Sequence, residues 1–139
     1  MRLFASSIML ACLLFACAGH DAKAPEPRAV MSQRLEGHWL LASFRPRTAL
    51  EPMLHGLLRA QLGAMLIQVD DGMLHATGIG VSAARRYEVT AAAGDDFKAT
   101  LYDERGVPYA LSGQFRADRL AFSSLDEPWQ GEGELLRRK

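Results

Sequence analysis

The chain has 139 residues, and its 16 lysines and arginines balance 16 aspartates and glutamates, so the formal net charge at pH 7 is zero. This length suits one small domain, and the even charge argues against the basic stripe of nucleic-acid-binding proteins. Both cysteines, Cys12 and Cys17, lie within the first 17 residues. The rest of the chain therefore lacks an internal disulfide, a thiolate metal site and a thiol nucleophile.

An apolar run follows the positive start Met1-Arg2 and extends over residues 3–16. A short basic start, an apolar stretch and a small residue before the cleavage point are typical of a secretory signal. The run is shorter than the roughly 20 residues that a membrane-spanning helix needs. The sequence therefore predicts that residues 1–16 are a signal peptide.

Leu14-x-Ala16-Cys17 resembles the bacterial lipobox, in which leucine, a variable residue and a small residue precede a cysteine. The resemblance implies cleavage before Cys17, a diacylglycerol on its sulfur and acylation of the new amino terminus. Several acyl chains give stable membrane attachment where one does not. Ala18 is similar to the residue at this place in outer-membrane lipoproteins, which implies an outer-membrane, cell-envelope location with the leaflet left open. The alternative is an ordinary signal peptide with an incidental cysteine.

Residues 17–34 have the composition of a flexible linker. Pro25 and Pro27 disfavour helix at the residues before them, and several charged side chains keep the segment hydrated. We expect this segment to hold the folded domain, residues 35–139, away from the bilayer.

The folded domain opens with a predicted strand over residues 35–44, in which Trp39, Leu41 and Ser43 share one face. Leucines then recur at spacings of three and four residues, which predicts one amphipathic helix over about 50–62. Gly63 ends that helix.

The remainder alternates between apolar and polar residues and is divided by turn sequences such as Asp71-Gly72 and the segment 103–106. Counting the first strand, we expect about eight strands. Short strands joined by hairpin turns indicate an antiparallel meander, and closure of a long meander removes its exposed edges. The predicted fold is mainly β: a small barrel or strongly curved sheet, with the helix between strands 1 and 2.

Gly37-x-Trp39 in the first strand resembles the opening signature of lipocalins and fatty-acid-binding proteins, the calycin barrels. The helix between the first two strands is similar to the lid of the fatty-acid-binding branch. The resemblance implies that Arg137 or Arg138 packs over Trp39. It also implies a barrel that holds a lipid or a small hydrophobic ligand.

Other chemistry has weaker support in the sequence. The domain's histidines, His38, His55 and His75, lack the spacing of metal ligands, so we expect no metal and no cofactor. The chain has no G-x-S-x-G motif, so an uncharacterised hydrolase activity is kept only as an alternative to ligand binding. The paired aspartates at 70–71 and 95–96 fit predicted turns.

We therefore expect a lipid-anchored, non-enzymatic envelope protein that binds an apolar ligand. The predicted pocket wall consists of Trp39, Leu54, Leu58, Tyr87, Leu101, Tyr109 and Phe122. The alternative is an envelope assembly or interaction module with a filled barrel, in which Trp129 marks a contact loop. The expected partners are the membrane, through Cys17, and a lipid or an envelope protein, with no nucleic acid.

Overall fold

The structure is a computed structural model that describes residues 25–124 and 130–139. The predicted signal peptide, Cys17 and Trp129 lie outside these residues. In chain order the elements are α1 (Pro27–Leu35), β1 (Gly37–Pro46), α2 (Pro52–Gln61), β2 (Leu66–Asp70), β3 (Met73–Gly78), β4 (Val81–Ala93), β5 (Asp96–Tyr102), β6 (Pro108–Arg116), β7 (Arg119–Ser124) and β8 (Gly131–Arg138).

The eight strands form one closed barrel in which each strand pairs antiparallel with its neighbour in the chain, and β8 returns to pair with β1. Trp39 of β1 faces Ile67 of β2 on one side and Arg137 of β8 on the other. The predicted mainly β fold is confirmed, including its closure and the helix between strands 1 and 2. Within the described residues, no helix is both long enough and apolar enough to cross a membrane.

The hairpin turns follow the predicted turn chemistry. Asp71 and Gly72 both have positive φ, 47° and 75°, which is the backbone of a tight two-residue hairpin loop. In the loop after β5, the Gly106 N–H donates to the Asp103 carbonyl oxygen at 3.0 Å, and Gly106 has φ of 79°. The chain reverses at these two places because its sequence supplies residues that tolerate left-handed backbone.

A second helix, α1, occupies most of the segment that the sequence predicts to be a linker, and the linker prediction is wrong from residue 27 onward. Pro27 begins the helix, where its missing N–H costs nothing. Met31 and Leu35, one turn apart, are 1% and 6% exposed and belong to the connected core. Burial of these two side chains stabilises a helix too short to be stable by itself.

Two bulges change which residues point inward. The register of β1 against β8 shifts between Leu41 and Ser43, so Phe44 joins the inward face with Trp39. The register of β4 against β5 shifts between Val89 and Ala91. The prediction that Ser43 shares the face of Trp39 is therefore wrong: Ser43 is exposed. One extra residue in a strand reverses the alternation beyond it.

Aromatic side chains fill much of the barrel. The ring centre of Phe115 lies 5.9 Å from that of Trp39 and 6.1 Å from that of Phe97. Gly113 on β6 and Gly133 on β8 flank Phe122 of β7, and an added Cβ would collide with the rings of Phe97 and Phe122 respectively. These glycines make room for the rings because the interior of an eight-stranded barrel is only just wide enough for its side chains.

Helix α2 begins with Pro52 in its first turn, and its N-cap Glu51 makes no side-chain capping bond. Gln61, 4% exposed, holds the helix to the turn between β3 and β4. Its amide Nε2 donates to the Ile79 carbonyl oxygen at 2.8 Å, and its Oε1 accepts from the Ile79 N–H at 2.9 Å. An added Cβ at Gly78 would overlap Gln61, which explains the glycine there.

Candidate functional site

One end of the barrel, which we call the base, is closed by α1 and by a guanidinium stacked on an indole. Arg137 lies 4.2 Å from the ring centre of Trp39 and donates to the backbone oxygens of Glu36 at 3.1 Å and Arg34 at 2.6 Å. The Trp39 indole N–H donates to the Leu35 oxygen at 2.8 Å. Of the two arginines expected to cover Trp39, the structure therefore selects Arg137.

A second arginine ties α1 to the same end. Arg34 donates to Asp95 Oδ1 at 2.9 Å and to the Gly94 oxygen at 3.2 Å, and it lies 4.2 Å from the centre of the Phe115 ring. Trp39 is only 1% exposed. The base is thus a packed, hydrogen-bonded plug, and Trp39 belongs to it and not to an open pocket wall.

Away from the base, inward-facing side chains remain half-buried. We call this region the upper interior, and it is formed by Phe44, Leu101, Tyr109, Leu111 and Phe122. Leu111 and Phe122 pack against the connected core. The upper interior is therefore less completely buried than the base.

Four of the residues predicted as pocket wall point into the barrel interior. Tyr87, Leu101 and Tyr109 are cross-strand neighbours on β4, β5 and β6. Phe122 on β7 stacks with Phe44, with ring centres 6.1 Å apart. The two predicted residues on α2 differ from these: Leu54 is half-buried, and Leu58 is buried but lies outside the connected core.

The two inward tyrosines supply hydroxyl groups to an otherwise apolar wall. Burial raises the pKa of Tyr87, and the negative charges of Glu36 and Asp70 raise it further. Tyr87 therefore stays protonated at neutral pH and retains a proton to donate. The Tyr109 hydroxyl donates to Asp103 Oδ2 at 3.3 Å, which orients it toward the loop after β5.

Asp103 organises that loop. Its Oδ1 accepts from the backbone N–H groups of Val107 at 2.9 Å and Arg105 at 2.8 Å. The Val107 hydrogen bond holds the pKa of Asp103 below its usual value, and the Arg105 and Tyr109 hydrogen bonds and the Arg105 charge lower it further, against a smaller desolvation effect. An ionised Asp103 thus fixes the loop beside the upper interior.

Sequence analysis missed one charged residue of the inner wall, Arg85. The alternation along β4 places Arg85 on the same face as Tyr87 and Val89, and its cross-strand partner Leu74 packs against the core. Its guanidinium lies 3.9 Å from the carboxylate of Glu104 in the loop after β5. The signal was available in the sequence, because the period of two that predicts Tyr87 as inward also predicts Arg85 as inward.

Sequence analysis also missed a concave surface on the outside of the barrel, which we call the outer trough. Its volume is about 940 Å³. Two rows of outward-facing residues run across β4, β5, β6, β7, β8 and β1. Along the strands, one row of inward-facing residues separates them. The outward rows are Ala91, Lys98, Ser112, Ser123, Glu132 and Arg45, and Ala93, Asp96, Gln114, Ala121, Glu134 and Ser43. The trough is floored by small side chains and bordered by charged ones.

The described residues do not bring metal-ligating groups together: no cluster of three or more histidine, cysteine, aspartate or glutamate side chains occurs among them. His38, His55 and His75 are all exposed. Asp71 and Asp95 lie in hairpin turns, as the sequence predicts.

Comparison with known proteins finds no matching family model, no similar curated protein and no similar solved structure.

Proposed function

We propose that this protein is a lipid-anchored component of a bacterial cell envelope that binds a lipid or another small hydrophobic molecule in the upper interior of its barrel. The half-buried upper interior above a packed base supports this proposal. Leu101, Leu111 and Phe122 offer apolar contact there, and Tyr109 offers a hydroxyl group. An apolar cavity with a few polar groups is the usual composition of a small-molecule site.

The anchor is proposed from the sequence. A signal peptide over 1–16 and the lipobox ending at Cys17 would leave the mature chain tethered by acyl chains. Only nine residues, 18–26, separate Cys17 from the start of α1, which packs on the base. A chain of nine residues spans at most about 30 Å, so the domain would stay close to the bilayer.

Native mass spectrometry tests ligand binding. The protein is stripped of bound lipid, exposed to an envelope lipid extract and then measured in the gas phase. We expect a discrete mass increase that corresponds to one bound amphiphile. Absence of any adduct, with the barrel shown to be folded by circular dichroism, would refute the binding function. Membrane fractionation of Cys17→Ser tests the anchor, since the substituted chain should be lost from the membrane fraction.

The outer trough favours a second candidate function, an interaction module of the cell envelope. At about 4.8 Å per strand, six strands give the trough a length of about 24 Å, which suits an extended polymer or a protein edge. Lys98 and Arg116 lie toward the β5–β6 side, and Glu132 and Glu134 lie on β8. The test is crosslinking in whole cells from a crosslinking residue that replaces Ser112 in the trough. A single dominant protein adduct supports this candidate, whereas crosslinking to lipid alone contradicts it.

A further inference from the structure

We propose that the outer trough binds an extended peptide in which an acidic and a basic side chain lie four residues apart, with the acidic one at Lys98 and the basic one at Glu132. This inference rests on the second candidate function, the interaction module, and specifies the chemistry of its partner. It concerns the outside of the barrel, so it does not depend on a ligand in the interior.

One of the two outward rows of the trough, the row that contains Asp96 and Glu134, already has partners for its charges. Arg116 Nε donates to Gln114 Oε1 at 2.9 Å, and Gln114 Nε2 donates to Asp96 Oδ1 at 2.8 Å. On β8, Glu134 accepts from Arg119 at 2.9 Å. A ligand would have to compete with these bonds, so this row offers it little.

The other outward row keeps its polar groups unpaired. Within the described residues, the side chains of Lys98, Glu132 and Arg45 take part in no ion pair and no hydrogen bond, although Arg45 and Glu132 are cross-strand neighbours. The hydroxyl groups of Ser112 and Ser123, which lie between Lys98 and Glu132, also have no partner in this part of the chain. A ligand can therefore bind this row without breaking a bond inside the protein.

The order of the groups along this row sets the spacing of the ligand's charges. Lys98 lies on β5 and Glu132 on β8, three strand spacings apart. At about 4.8 Å per strand, this separation is about 14 Å. An extended peptide rises about 3.4 Å per residue, so four residues cover the same distance. Side chains four residues apart also point to the same side of an extended chain, so one peptide reaches both charges.

The floor between the two charges suits a peptide backbone. Ser112, Ser123 and Ala121 have small side chains, so a chain can approach the sheet closely. The serine hydroxyl groups both donate and accept hydrogen bonds, which matches the N–H and C=O groups of a peptide. The aromatic residues that line the trough belong to the inward row: Phe44, Phe97 and Phe122. Since sugar rings stack on exposed aromatic faces, this surface favours a peptide over a sugar polymer.

Fluorescence anisotropy tests the proposal on the full chain in phosphatidylcholine nanodiscs at low salt, where screening of exposed charges is weak. The probes are labelled, blocked peptides of glycine and serine. They carry glutamate and lysine four residues apart, the same pair two residues apart, glutamine at both places or lysine at both places. Lys98→Glu reverses the charge at one end of the row. Lys139→Glu is the matched control, because Lys139 is exposed, lies outside the trough and undergoes the same change of charge.

We expect the peptide with glutamate and lysine four residues apart to bind the native chain about fivefold more tightly than the two-residue pair or the glutamine peptide. Lys98→Glu should weaken this binding about fivefold, because repulsion replaces attraction at one end. The same substitution should create binding of the peptide with lysine at both places, a gain that an unfolded chain would not show. Lys139→Glu should change neither result.

Equal binding of all four peptides, or equal effects of the two substitutions, overturns the recognition of a spaced charge pair alone. If no peptide binds while crosslinking from the position of Ser112 still gives one protein adduct, the inference fails and the interaction module stands. If both experiments are negative, the interaction module fails as well. Binding of a labelled chitin oligosaccharide in place of the peptides would assign the trough to a sugar polymer and overturn the inference.

Discussion

Replacing Arg137 by methionine should destabilise the barrel through loss of its base. Methionine keeps apolar length over Trp39 but removes the charge and the donors. The substitution breaks two hydrogen bonds, to the oxygens of Glu36 and Arg34, and one cation–π contact at 4.2 Å. A hydrogen bond from a charged donor contributes roughly 1.5–3 kcal/mol, and an exposed cation–π contact contributes about 0.5–1 kcal/mol.

Arg137 is itself exposed, so water can replace part of what is lost. We therefore expect less than the sum of the low ends, about 3.5 kcal/mol, and predict that Arg137→Met lowers the free energy of unfolding by about 2–3 kcal/mol. Arg137→Lys should recover less than half of the loss, because a lysine ammonium cannot donate in the planar fork that reaches both carbonyl groups. Arg138→Met is the control: Arg138 is the next residue, is exposed and makes no contact of this kind in the described chain.

The assay is urea unfolding of a chain spanning residues 18–139, followed by far-ultraviolet circular dichroism at constant protein concentration. Arg138→Met should stay within about 0.5 kcal/mol of the unsubstituted chain. If Arg137→Met and Arg138→Met lose the same amount, the stack on Trp39 does not hold the base together. The explanation given for the position of α1 would then be wrong.

Three further predictions follow from single residues. Gly133→Ala should destabilise the barrel by about 1–3 kcal/mol in urea unfolding, because the added Cβ would collide with the Phe122 ring. The control Gly56→Ala, in open space on α2, should stabilise the barrel by up to about 1 kcal/mol. Equal effects of the two substitutions would contradict the packing around Gly133. Folding lowers the pKa of the Asp103 carboxyl group. The ionised carboxylate therefore stabilises the fold at pH values above its pKa in the unfolded chain, and this stabilisation is lost as the pH falls through its pKa in the folded chain. Asp103→Asn should therefore lower the melting temperature at pH 7, and the difference from the unsubstituted chain should shrink in acid. A difference that grows in acid would show that folding raises the pKa of Asp103 instead of lowering it. Met31→Ala should lower the free energy of unfolding by about 2–4 kcal/mol because Met31 is 1% exposed, and a loss below about 1 kcal/mol would show that α1 is not part of the core.

The fold was largely predictable because local patterns and the global structure agree. Turn residues such as Asp71-Gly72 mark the ends of strands, and the period of two over residues 97–101 matches the observed burial. The bulges were not predictable from alternation. Near residues 42 and 90 both faces carry small or apolar side chains, so a one-residue shift leaves no break in the pattern.

The site was predictable only in part. The inward orientation of Tyr87, Leu101, Tyr109 and Phe122 was predictable because residues in alternation point to one face, and their role in binding stays a prediction. The outer trough was not found, since it combines small residues from six strands that only the closed register brings side by side. Helix α1 was missed because two core contacts, and not its helix propensity, stabilise it.

Paramagnetic broadening locates the ligand most directly. The chain carries labelled leucine and valine methyl groups, and an amphiphile with a nitroxide on its chain is added. We predict that the methyl signals of Leu101 and Leu111, which point into the upper interior, broaden at low ligand concentration. Signals from Leu66 on the outside and Val30 on α1, which are 43% and 38% exposed, should stay sharp. Broadening confined to Leu66, Val30 and other exposed methyl groups would place the amphiphile on the outside and contradict binding within the barrel.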